Sequence, residues 1–198
     1  MPKSKRRKTR GGQGKKSGVS GNTIAAVIAA VIIAGGGYSW WSSGRTEVAF
    51  MEDVASGKSI LSKVKTIPAA GTTHLRPGEN YNYPDIFPTS GPHASRGTPA
   101  GFYGSPQQAT GLVHALEHGN IVIYYDKPGE KALEALRSWT ALYPGAWDGV
   151  IATKMAGIGV SVVLTAWTKR LNLERFDRAA AAAFIDLFRG RGPEHPVR

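Results

Sequence analysis

The most prominent apolar pattern is a run near the amino terminus, in which no charged residue occurs from Val19 to Gly44. Residues 24–34 are all isoleucine, valine or alanine, and three glycines and a group of aromatic residues follow them. About 20 apolar residues are needed to cross the ~30 Å hydrocarbon core of a bilayer. The pattern therefore predicts a transmembrane helix over residues 23–41. The aromatic residues that follow it are of the types that are enriched at the membrane interface. They are Tyr38, Trp40 and Trp41.

The carboxyl-terminal half has the short periodic patterns of a globular domain. Residues 120–125 are β-branched and aromatic, which predicts a buried strand, and residues 126–142 have helical spacing with their first residue as the cap. Residues 150–153 and 160–167 indicate two strands across a glycine-rich turn, and residues 173–189 a last helix. This order predicts an α+β fold with a small mixed sheet and two packed helices.

Two less regular segments lie between the apolar run and this half of the chain. Residues 42–66 are predicted to be a connector, with a short helix from Val48 to Val64. Residues 67–110 are rich in Pro, Gly, Asn and Tyr, which predicts a long loop. Disordered segments are poor in aromatic residues, whereas this one contains five. We therefore expect the loop to wrap around the core.

The charge of the chain is concentrated at one end. The formal net charge is +11, yet eight of the 25 basic residues lie within the first sixteen positions, and no acidic residue precedes Glu47. The other 17 basic residues face 14 acidic ones, so the rest of the chain carries only +3. This balance argues against nucleic acid as a partner of the folded part. A basic tail beside an apolar span favours anionic membrane lipid instead, and the sequence identifies no protein partner.

These patterns predict four regions. Residues 1–22 form a disordered basic tail, residues 23–41 an anchor, residues 42–66 a connector, and residues 67–194 an α+β domain. The positive-inside rule places the tail in the cytoplasm and the domain outside a bacterial cytoplasmic membrane, as a single-pass protein. Cleavage of the apolar segment as a signal peptide is the alternative. The long basic region and the lack of a convincing cleavage site favour an uncleaved anchor.

Candidate chemistry is concentrated in the histidines. His114 and His118 are four residues apart, which on a helix brings their Cβ atoms to about 5–6 Å and lets them bind one ion. On a strand the same pair would be about 13 Å apart, so a metal site requires a helical turn here. His93 is the first choice for a third ligand, and His74 is a fourth candidate. Imidazole suits zinc and copper.

Glu117 completes a His-x-x-Glu-His motif and has three interpretations. It would be the general base of a metal-dependent hydrolase, a ligand or a group that orients an imidazole, or part of a solvated turn in a non-catalytic interaction domain. Peptidases with this motif also use a glutamate far downstream, but Glu174 and Glu194 stand in no matching context. The binding interpretation is favoured, because short motifs often occur by chance.

Several short strings occur along residues 68–194. They are Tyr81-Asn-Tyr-Pro, Pro88-Thr-Ser-Gly-Pro-His93, Gly101-Phe-Tyr103, Val113-His-Ala-Leu-Glu-His-Gly119, Thr165-Ala-Trp167 and, after the last helix, Gly192-Pro-Glu194. Together they resemble a known family, the bacterial domain of unknown function 3105, with Phe87 and Thr168 standing where proline and glycine are common. The resemblance implies an exported or single-pass bacterial protein and no established activity.

Overall fold

A computed structural model describes residues 44–198 of the chain. The predicted tail and the predicted membrane span lie outside the described residues. Within the described part, no helix has both the length and the apolar character needed to cross a bilayer. The fold is of the predicted mixed α+β class, with one six-stranded sheet.

The sheet has the strand order β1-β6-β5-β3-β4-β2. Strands β2, β4 and β3 run parallel to one another, and β3, β5, β6 and β1 pair antiparallel. The bounds are β1 Lys65–Thr66, β2 Gly101–Tyr103, β3 Ile121–Tyr125, β4 Val150–Lys154, β5 Val162–Ala166 and β6 Lys169–Leu173. The prediction that β4 and β5 form neighbours across a turn is wrong, because β3 lies between them.

The short helix predicted from Val48 to Val64 is present, since residues 44–57 are helical (α1) and continue into a 3₁₀ helix, Lys58–Lys63. The others are α2 Ala109–His118, α3 Glu130–Leu142 and α4 Arg178–Phe188. Helix α3 connects the parallel strands β3 and β4, a connection that parallel pairing requires.

Two predicted helix starts are displaced. Asp126 does not cap α3, which begins after Gly129; its carboxylate instead accepts a hydrogen bond from the Gly157 N–H at 3.2 Å. The last helix was predicted to begin at residue 173 but begins after Asp177, whose side chain accepts from the Ala180 N–H at 3.0 Å. Leu173 is instead the last residue of β6, a strand that the sequence analysis did not predict.

The sheet is buried on both faces. Every residue of β3 is buried, and its alternate side chains belong to two different cores. Ile121, Ile123 and Tyr125 face the core that α1, α3 and α4 share, whereas Val122 and Tyr124 face a smaller core beneath α2. Helix α2 and the long loop therefore lie on one face of the sheet, and the other helices lie on the opposite face.

Helix α1 belongs to the larger core. Phe50 is fully buried and makes edge contacts with Trp139 and Tyr143, at ring distances of 5.8 and 5.2 Å. At the end of α1, a Cβ on Gly57 would lie 1.9 Å from the Ala179 carbonyl oxygen, so only glycine permits this approach to α4. The segment predicted as a connector thus contributes to the folded domain.

A candidate metal centre where the long loop meets helix α2

Helix α2 places three of the predicted site residues on one face. His114, Glu117 and His118 are separated by three and four residues, so their side chains lie above one another. The helix ends as expected at Gly119, whose φ is +104° and whose N–H bonds back to the Ala115 and Leu116 carbonyls. The helical turn that a metal site at this motif requires is therefore present.

The long loop brings two more histidines to this face. Two segments of the loop pair briefly in parallel, since the Leu75 N–H donates to the His93 carbonyl at 2.7 Å and the His93 N–H to the Thr73 carbonyl at 3.0 Å. This bridge sets His74 beside His93, with ring centroids 4.8 Å apart. A separation of nineteen residues along the chain is thus closed by two backbone hydrogen bonds.

Further contacts hold the loop against the helix. The Ala94 and Thr98 N–H groups donate to the Thr110 and Gly111 carbonyls of the first turn of α2, at 3.2 and 2.9 Å. A Cβ on Gly97 would lie 3.0 Å from the His114 ring, so a side chain there would displace that ring. These contacts hold the loop against α2. Residues 67–110 are not loop throughout, because they contain strand β2 and the first residues of α2.

The residues around His93 have structural roles. The Tyr83 hydroxyl donates to the Pro92 carbonyl at 2.5 Å, and the Ser90 hydroxyl accepts from the Ala70 N–H at 2.9 Å. The Ser90 contact joins two parts of the loop that are twenty residues apart. Both contacts pin the segment that carries His93.

We call His74, His93, His114 and Glu117 the inner cluster. Each offers one ligand atom, and these atoms all lie within 4.8 Å of one another. The centroid of the His114 ring lies 5.2 Å from that of the His93 ring and 5.3 Å from that of the His74 ring. Three of the four side chains are buried, whereas the side chain of His74 is half exposed. A buried group of three imidazoles and a carboxylate could hold a metal ion.

The tautomer of His93 is fixed by one hydrogen bond. Its Nδ1 lies 2.8 Å from the Gly91 carbonyl oxygen, which can only accept, so Nδ1 carries a proton. In the neutral ring, Nε2 then carries a lone pair and no hydrogen. This atom is buried without an aligned hydrogen bond, yet it lies 2.9 Å from Glu117 Oε2. Two facing lone pairs at this distance require either a proton between the imidazole and the carboxyl group or a metal ion.

His114 lies in the centre of the constellation. Burial lowers its pKa to about 4, the positive charge that His118 and His93 can carry adds to this, and the Ala94 carbonyl partly opposes it. The ring is therefore neutral near pH 7. Its Nδ1 is buried without a hydrogen-bond partner. A neutral imidazole with an unused buried nitrogen has the chemistry of a metal ligand.

His118 lies on the other side of His114. Their ring centroids are 4.4 Å apart, and the His118 ring stacks on Trp147 at 3.8 Å. Its Nε2 lies 3.0 Å from Glu194 Oε2. We call His118 and Glu194, together with the shared His114, the outer group; their ligand atoms also lie within 4.8 Å of one another.

The structure thus distributes the predicted residues differently from the sequence expectation. His93 and His114 come together, as do Glu117 and the fourth candidate, His74, whereas His118 belongs to the outer group. Glu194 was set aside because its sequence context does not match that of the downstream peptidase glutamate. It arrives because Gly192 packs on the end of α2, where a Cβ would lie 2.1 Å from the Glu117 carbonyl oxygen. The Gly-Pro-Glu string after the last helix was the only sequence signal for this contact.

Fold and site together define a mixed α+β domain with a buried histidine–glutamate cluster between a loop and a helix. The chain belongs to the family described as Protein of unknown function (DUF3105), whose model matches residues 74–198. The resemblance seen in the sequence is thereby confirmed, and the match contains all residues of both groups. Comparison with curated proteins and with solved structures found no match.

Proposed function

We propose that this domain binds one transition-metal ion, zinc or copper, through the inner cluster. The observation that carries the proposal is the Nε2 of His93, which makes no aligned hydrogen bond and lies 2.9 Å from the Glu117 carboxylate. Its tautomer directs a lone pair into a buried site that also contains the carboxylate and a second unpartnered imidazole nitrogen. Burying a carboxylate without a compensating charge is costly, and a bound cation would supply that charge.

The ligand geometry is compatible with this proposal. Ligand atoms at about 2.0–2.1 Å from a tetrahedral ion lie about 3.4 Å from one another. The atoms of the inner cluster are within 4.8 Å before any ion is considered, so closure requires shifts on the order of 1 Å. Imidazole nitrogen and carboxylate oxygen are ligands that both zinc and copper accept.

Equilibrium dialysis of residues 44–198 against zinc or copper, followed by elemental analysis, tests the proposal. We expect one ion per chain, and we expect His74→Gln and Glu117→Gln each to weaken binding by at least about tenfold. His195→Gln and Glu174→Gln remove the same residue types outside the inner cluster and should bind normally. A wild-type domain that stays metal-free would overturn the proposal and leave the histidines as hydrogen-bonding groups of an interaction domain.

Glu117→Gln also distinguishes binding from hydrolysis. Hydrolysis would need the carboxylate as a general base on metal-bound water, but in this structure it lies 2.9 Å from His93 Nε2 and its side chain is largely buried. Such a carboxylate is better placed to be a metal ligand than a general base. Ester or peptide hydrolysis by the metal-loaded wild type that disappears in a Glu117→Gln variant which still holds its ion would favour the hydrolase instead.

For the whole chain we propose a tether to the bacterial cytoplasmic membrane, with the amino terminus in the cytoplasm and the domain outside. The support is the sequence pattern of residues 1–41, a dense basic tail followed by an uncharged apolar run. The full chain should remain in membranes after alkaline carbonate extraction, and protease added to spheroplasts should degrade the domain. Release by carbonate, or protection from the protease, would contradict this topology.

A further inference from the structure

We propose that His114, His118 and Glu194 form a second metal position, which shares His114 with the inner cluster and therefore serves as an alternative ligand set for the same ion. This inference rests on the proposed function, because it extends metal binding to a neighbouring position. Its ligands are two imidazoles and one carboxylate. They suit a divalent transition metal, with water completing the coordination.

The first support is the arrangement on the helix. His114 and His118 lie one turn apart with ring centroids at 4.4 Å, and Glu194 Oε2 approaches His118 Nε2 to 3.0 Å. Stacking on Trp147 holds the His118 ring in place. The second support is independent of these contacts: His114 is nine-tenths buried, and its Nδ1 has no hydrogen-bond partner.

Sharing of His114 decides the stoichiometry. A neutral imidazole has one nitrogen that carries hydrogen and one with a free lone pair, so it serves one ion at a time. An ion that moves between the positions keeps His114. It exchanges His118 and Glu194 for the inner ligands His74, His93 and Glu117. The two groups are thus successive coordination states of one ion.

Exposure gives the exchange a direction. The side chains of His118 and Glu194 are 20% and 43% exposed, whereas those of His93 and Glu117 are 0% and 7% exposed; of the inner ligands, His74 is half exposed and lies at the solvent side of the cluster. An ion arriving from solvent can meet the outer pair with little rearrangement. The inner cluster offers one more imidazole and greater burial. We therefore expect weak, accessible binding outside and tighter binding inside.

Cobalt(II) is a suitable probe because its visible spectrum reports coordination. The wild-type domain should bind one equivalent. His74→Gln/Glu117→Gln, which removes two inner ligands and leaves the outer group intact, should still bind one equivalent, at least about tenfold more weakly and with a changed spectrum. Adding Glu194→Gln to that variant should weaken the residual binding by about a further tenfold or more. Glu174→Gln in the same background is the matched control.

The outcomes separate the two proposals. No cobalt or zinc on the wild type defeats both. Normal wild-type binding with none in the inner variant, or residual binding that Glu194→Gln leaves unchanged, overturns the second position and leaves the inner site standing. The contact between His118 and Glu194 would then only fix the carboxyl-terminal segment. If circular dichroism shows that the double variant is unfolded, His74→Gln alone, at a half-exposed position, supports the same comparison with and without Glu194→Gln.

Discussion

At the scale of single residues, ring orientation decides what the site can bind. The Gly91 carbonyl fixes which nitrogen of His93 is free, and burial keeps His114 neutral. Neither effect depends on residue identity alone, since His195 is also a histidine and is exposed near the carboxyl terminus. The chemistry thus depends on partners that are remote in sequence.

The lowered pKa of His114 predicts a pH dependence of stability in the metal-free domain. Because the pKa falls from 6.5 to about 4 on folding, the unfolded chain binds more protons between these values. The part of the unfolding free energy that depends on neutral His114 is fully present above pH 6.5. It is lost as the pH falls towards 4, and the total loss is on the order of 3 kcal/mol. Urea unfolding with a chelator present, at a series of pH values, measures it.

His114→Gln is the control for this dependence. A glutamine cannot titrate here, so the difference in unfolding free energy between variant and wild type should change with pH over that interval. A constant difference from pH 7 to pH 4 would contradict the neutral state of His114.

At the scale of elements, the end of α2 organises the outer group. Gly119 adopts a φ of +104°, and a Cβ there would lie 2.7 Å from the Gly192 nitrogen and 2.8 Å from the Trp147 carbonyl oxygen. Helix termination and the close approach of the carboxyl-terminal segment therefore need the same glycine. That approach is what brings Glu194 to His118.

Gly119→Ala should destabilise the domain and separate His118 from Glu194. The backbone conformation alone costs about 1–3 kcal/mol for a non-glycine residue, and the clashes add to it. Gly157→Ala is the matched control, because its φ is +91° and a Cβ there meets nothing within 4 Å. Thermal unfolding should show a larger loss for Gly119→Ala. Equal losses would mean that the contact with Gly192 is unimportant.

Helix α1 gives a second test at this scale, because it was expected to be only part of a connector. Phe50 is fully buried against Trp139 and Tyr143, whereas the adjacent Met51 is 48% exposed. Phe50→Ala should cost about 3–5 kcal/mol of unfolding free energy, and Met51→Ala should change it little. Denaturant unfolding of residues 44–198 measures both, and similar small effects would indicate that α1 is dispensable.

At the scale of the whole molecule, the two faces of the sheet pack against different elements. One face supports the large core with α1, α3 and α4, and the other supports α2, the loop and the histidines. The candidate site therefore lies on the face of the sheet that α2 covers, and backbone hydrogen bonds hold the long loop against α2. Ion binding to such a site should stabilise the domain as a unit.

Zinc should therefore raise the melting temperature. At a free concentration of about one hundred times the dissociation constant, a ligand specific for the folded state adds about 2.7 kcal/mol. For a domain of this size that is roughly 5–10 °C. Differential scanning calorimetry of the wild type and of His74→Gln gives the comparison. An identical shift in both would show that zinc acts elsewhere.

Local patterns predicted much of the fold. The β-branched run of β3 and the apolar spacing of α3 and α4 identified those elements, because burial on a sheet or helix face leaves a short-range signature. Strands β1 and β2, of two and three residues, have too few positions for such a signature. The position of β3 between β4 and β5 was missed because strand pairing is decided by the α3 crossover, not by turn composition.

The sequence by itself determined the α+β class, the family and the three segments that carry the histidines, because composition, periodicity and motif spacing are local. Only the tertiary structure decided that His74 joins His93, that Glu117 faces them, and that Glu194 reaches His118. These contacts depend on a loop bridge and on glycine-permitted approaches between residues up to 76 positions apart, the separation of His118 and Glu194. No short-range pattern encodes such distances, so the site was assembled by folding.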